Sequence, residues 1–244
     1  RGTGWLTAAS LRANVRARLG EDVARAAPGE EVENVRPAAK ADWTSRERKL
    51  LRSFRGPNDV QRFLNRLRYN DQATTKSPRR VIADRTAHCF EGALFAAAAL
   101  RFQGHPPLLV DLAARNDDDH VIAVFRRDRL CGAVAKSNTT LLRYREPVYR
   151  SLRELVMSYF EGYFNVRGEK SLVSYSRPVN LSHFDRRGWM FAQDDLDDIG
   201  DHLTAAPHAA VAPPAVRRRI SPADPDVVRA CFLGALPSGL YRPT

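Results

Sequence analysis

Cys89-Phe90-Glu91-Gly92-Ala93-Leu94-Phe95-Ala96-Ala97-Ala98-Ala99-Leu100 is the run whose reading decides the fold of this 244-residue chain. It is rich in good helix formers and apolar on nearly every side, and such a helix has to be buried all round. Its small alanines let neighbouring elements approach closely. Gly104 stops it. Three strand-like runs follow at 107–112, 119–125 and 130–135, separated by a polar loop at 115–118 and a turn at Arg127-Asp128. A buried central helix followed by antiparallel strands and a further helix gives an α+β class.

Working outward, Thr44 and Glu47 form a capping-box signature that opens a helix over 44–54. Gly56-Pro57-Asn58 interrupts it, and Val60, Phe63, Leu64 and Leu67 then mark one buried face of a second helix. Residues 70–80 read as a polar loop. Further upstream, Leu11, Val15 and Leu19 repeat at helical spacing between Ser10 and Gly20, and 26–41 reads as a linker. Downstream, Pro147 is expected to open a helix carrying Val148, Leu152, Leu155, Val156, Tyr159 and Tyr163, with a strand at 171–175. Residues 204–218 are rich in Ala and Pro and read as a linker before a short helix within 224–234. The expected organisation is a helical arm and linker at 1–42, a core at 43–203, and a linker with a short C-terminal helix at 204–244.

The formal charge is +11, and residues 1–85 hold 19 Lys or Arg against 10 Asp or Glu. A basic arm of this kind suits an acidic protein or nucleic acid as partner. No apolar run reaches the length of a membrane span. Three widely spaced cysteines make no disulfide framework, which points to a reducing compartment and a cytoplasmic location. No phosphate-binding glycine loop occurs. Cys89, His120 and Cys131 match no zinc spacing, and the acidic run Asp194-Asp195-Leu196-Asp197-Asp198 lacks the glycine and later glutamate of a calcium loop. No metal and no cofactor is expected.

Cys89 stands at the start of the buried helix, where unpaired N–H groups and the helix dipole favour a thiolate. His120 opens the strand His120-Val121-Ile122-Ala123-Val124-Phe125 and shares a face with Ile122 and Val124. It is the candidate base for a Cys–His pair.

The run Arg85-Thr86-Ala87-His88-Cys89-Phe90-Glu91-Gly92-Ala93, continued by Gly104-His105-Pro106-Pro107-Leu108-Leu109-Val110, resembles the transglutaminase-like core. In that family a nucleophilic Cys begins an Ala- and Leu-rich helix, a Gly-x-Pro turn and a strand follow, and a His starts the next strand. Here His120 lies 31 residues after Cys89, and the resemblance covers about residues 60–165. It implies a transglutaminase-like or papain-like core and acyl transfer on a peptide or amide substrate through a Cys89 thioester, ending in hydrolysis or amine transfer. The family's Asp on the strand after the His is missing. Asn138, 18 residues after His120, is the candidate third member, and Asp128 is the alternative. The incomplete triad also admits a catalytically inactive module that binds a protein or nucleic acid through its groove and basic arm.

Overall fold

Thr44 caps the first helix as its sequence demands. Its hydroxyl oxygen accepts the Glu47 N–H at 3.2 Å, while the Glu47 carboxylate accepts the Thr44 N–H at 2.7 Å. The computed structural model describes residues 42–243; the helix read at 10–20 and the linker read at 26–41 lie outside them, with the first part of the basic region. The capped helix is α1 (Ser45–Ser53), followed by α2 (Pro57–Asn65), β1 (Arg68–Tyr69), α3 (Pro78–Asp84), β2 (Thr86–Ala87) and α4 (Cys89–Phe102). Then come β3 (Leu108–Ala114), β4 (His120–Arg127), β5 (Leu130–Val134), β6 (Arg145–Tyr149) and α5 (Leu152–Phe160). The chain continues through β7 (Leu172–Ser176), β8 (Val179–Asn180), α6 (Asp197–Ala205), β9 (His208–Ala210), α7 (Pro214–Arg217) and α8 (Pro225–Cys231).

The main sheet runs β6-β5-β4-β3-β7-β9 with every pairing antiparallel, and β8 adds to β3 at Leu108 and Leu109. β1 and β2 form a separate two-stranded parallel pair. The architecture is therefore α+β.

Alternation along β4 sorts the core into two layers. Val121, Ala123 and Phe125 face α4 and the helices around it, together with Leu64, Leu94 and Trp189. Ile122 and Val124 face α5, together with Leu155, Tyr159 and Tyr163. From Ala93 to Leu100 no residue of α4 exceeds 2% exposure, so the helix is buried on every side as its composition requires. Among the described residues no helix is long and apolar enough to cross a membrane.

Three readings of the sequence give way. Pro147 does not open a helix. It sits inside the outermost strand β6, where a residue without an N–H costs no ladder bond, and α5 begins after Ser151, whose Oγ accepts the Glu154 N–H at 3.1 Å. The loop at 70–80 ends early, because Ser77 and Pro78 start α3. Part of the 204–218 linker is the strand β9, paired with β7 from His208 to Ala210.

Candidate active site

Cys89 is the first residue of α4, and the end that carries it is held by a buried carboxylate. Glu91, fully buried, accepts the His88 N–H (3.1 Å), the Lys76 N–H (3.1 Å), the Thr74 hydroxyl (2.7 Å) and the Asn70 amide (3.0 Å). These donors come from the loop before α3 and from the helix cap, so the helix start is tied to the chain that precedes it. Gly92 allows the chain after β5 to close on the same turn: a Cβ there would lie 2.3 Å from the Lys136 Cβ.

The Cys89 thiol is half-buried and donates to the Asp119 carbonyl at 3.8 Å. Burial pushes it up to about 12, outweighing the N–H groups of Val121 and Phe90 that favour the thiolate. The helix start alone therefore does not yield a resting thiolate.

His120 is buried, on the β4 face shared with Ile122 and Val124, and its ring meets Tyr163 edge to face with centroids 6.4 Å apart. Nε2 lies 2.8 Å from the Leu142 carbonyl oxygen. A carbonyl only accepts, so Nε2 carries the proton of the neutral ring and Nδ1 carries the lone pair. Burial pushes the imidazolium down to about 4, so the ring is neutral at pH 7.

Leu142 is itself fixed. Arg145 donates to the Leu141 carbonyl at 2.9 Å, to the Tyr144 carbonyl at 3.0 Å and to Ser158 Oγ at 2.9 Å, and stacks over Tyr159 at 3.9 Å. The Tyr159 hydroxyl donates to the Arg143 carbonyl at 2.8 Å.

Cys89 and His120 both border one cavity of about 70 Å³, together with Tyr69, Ser137, Leu142 and Asp117 to Asp119. The two candidate third members stand elsewhere. Asn138 reaches the cavity wall, but its amide is engaged with the backbone of Leu236: Nδ2 donates to the Leu236 carbonyl and Oδ1 accepts its N–H, both at 2.9 Å. Asp128 lies exposed in the β4–β5 turn, at the opposite end of the strand from His120. A backbone carbonyl holds His120 Nε2 instead, and no side-chain pattern reveals a carbonyl.

Two acidic neighbours also escaped the sequence reading. Burial pushes Asp117 up to about 6 and Asp118 up to about 7, and Asp118 Oδ1 is buried without a hydrogen-bond partner. The run Asp117-Asp118-Asp119 directly before His120 was the signal available. Among the described residues no group of three His, Cys, Asp or Glu side chains is arranged to hold a metal ion.

Comparison with protein-family models and with curated proteins returns no match.

Proposed function

We propose that the chain is a transglutaminase-like thiol acyltransferase or hydrolase in which Cys89 and His120 form the reacting pair. The observation that carries this reading is the shared cavity: a thiol at a helix start and an imidazole whose Nε2 proton is held by the Leu142 carbonyl, leaving Nδ1 as the proton acceptor. In this reading the carbonyl takes the orienting part that the sequence assigned to Asn138.

Cys89 Sγ attacks an amide or ester carbonyl carbon while its proton passes to His120 Nδ1. The N–H groups of the first turn of α4 hold the oxyanion. The carbonyl re-forms, the C–N or C–O bond breaks, and the proton on Nδ1 leaves with the amine or alcohol. Water or a second amine then attacks the thioester, giving its proton to Nδ1, and the thiol is restored by the same route.

The resting state is a neutral pair. Burial pushes the thiol up to about 12 and the imidazole down to about 4, so the proton stays on sulfur at rest. The thiolate therefore has to form during attack, or after water enters the cavity.

That same disparity favours a second reading, a non-catalytic module that binds peptide in the groove. Hydrolysis of a p-nitrophenyl ester separates the two. The catalytic reading expects turnover to fall about 100-fold or more in Cys89→Ser and His120→Ala. Equal rates in the parent and both variants would leave only the binding module.

A further inference from the structure

The cavity beside Cys89 is lined in part by a separate stretch of the same chain. Phe232, Gly239, Leu240 and Tyr241 border it, and they belong to a segment running from the end of α8 through Pro243. The segment is held by side chains, with Ser238 Oγ donating to Asp71 at 2.7 Å and the Phe232 ring meeting Phe164 edge to face at 6.0 Å, and also by its backbone. Asn138 takes both the N–H and the carbonyl of Leu236, Thr140 donates to the Cys231 carbonyl through its own N–H (3.0 Å), and Arg167 donates to the Pro243 carbonyl (2.7 Å). Leu236 is extended (φ −75°, ψ 116°), while its side chain and that of Leu233 are 39% and 77% exposed. A primary amide bridging the two polar groups of one extended residue imitates a strand neighbour and reads the main chain whatever side chain that residue carries. Gly239 lets the segment lie flat, since a Cβ there would sit 2.7 Å from the Tyr69 ring and 3.1 Å from Asn138 Nδ2.

We propose that the groove takes a peptide whose backbone is extended at the residue bound by the Asn138 amide, and that residues 232–243, extended at Leu236 between α8 and a 3-10 turn at Pro237–Gly239, occupy it as an internal strap. The inference rests on the catalytic reading of Cys89 only in calling that peptide a substrate. Displacing the strap opens the cavity to water and to the acyl donor, which is what the neutral Cys89–His120 pair needs.

The three cysteines make the test internal. Cys89 lies under the strap, Cys231 is buried just before it, and Cys131 is buried in the sheet. The parent 244-residue chain, Gly239→Val and Asn138→Ala are labelled with iodoacetamide at pH 8, and the label at each cysteine is quantified by mass. In Gly239→Val, Cys89 and Cys231 are expected to label at least tenfold faster, with Cys131 still protected. A synthetic peptide of residues 232–243 added at millimolar concentration should then slow Cys89 labelling again. In Asn138→Ala, both cysteines label fast and the peptide gives no protection.

Fast Cys231 labelling with Cys89 at its parental rate would overturn the proposal, and so would a peptide that fails to protect Gly239→Val. A second measurement needs no variant. In the parent chain at sub-denaturing urea, Cys89 and Cys231 should become reactive together, ahead of Cys131, and a Cys89 that opens only with Cys131 contradicts the strap. Labelling reads access, whereas ester turnover reads chemistry, so the two proposals fail separately.

Discussion

Gly92 and Glu91 show how single residues place the candidate nucleophile. The sequence marks Gly92 only as a poor helix former inside a good helix, yet Lys136 packs where its side chain would be. Gly92→Ala gains helix propensity and forces the chain after β5 outward. We expect a net loss of about 1–3 kcal/mol in urea unfolding, against the gain of up to about 1 kcal/mol that propensity alone would give. Glu91→Ala removes an acceptor shared by four groups, two of them buried, and is expected to cost about 3 kcal/mol or more. Asp118 works in the opposite direction. Its folded carboxyl titrates near 7, above the ordinary value of 3.8, so the folded state retains a proton that the unfolded state releases. Stability from this group therefore falls as pH rises from about 4 to 7 and is level above that. Asp118→Asn should gain stability over the parent across that window, by on the order of 1–3 kcal/mol at pH 8. A constant difference from pH 4 to 8 would show that Asp118 ionises freely.

At the scale of elements, the sequence was legible wherever pattern and burial agree. The all-round apolar run gives α4, the capping box gives α1, and the strand-like runs give β3, β4 and β5 within a residue or two. It was illegible where tertiary placement overrides local preference. Pro147 signals a helix start only when no sheet edge is available, and β9 in its Ala-Pro surroundings exists because β7 offers it a partner. The site divides in the same way. That Cys89 and His120 stand at a helix start and a strand start could be read from the sequence, but the Leu142 carbonyl that holds Nε2 could not, because its position comes from the clamp of Arg145 and Tyr159 on 141–144. Arg145→Lys keeps the charge and loses the planar fork. We expect ester turnover to fall about tenfold or more, with loss of the downfield His120 Nε2 proton in the NMR spectrum. Unchanged turnover with that proton retained would show that the clamp is dispensable.

Across the described residues, the sheet separates two cores and brings Cys89 and His120 in from different layers. α4 and its surrounding helices hold Cys89 on one face, while His120 points toward the α5 layer and meets the shared cavity at the end of β4. The residues beyond the central sheet then close that cavity from outside. Burial keeps the thiol and imidazole neutral in this arrangement, so their acidities and their positions point in opposite directions. The decisive measurement is the intact mass of the 244-residue chain after brief exposure to p-nitrophenyl acetate and acid quench, with the adduct mapped to a residue. The account predicts an acetyl group on Cys89 that builds up in the parent and forms at least about 100-fold more slowly in His120→Ala. Acetylation of Cys89 at the same rate in both proteins, or of surface lysines alone, would contradict it.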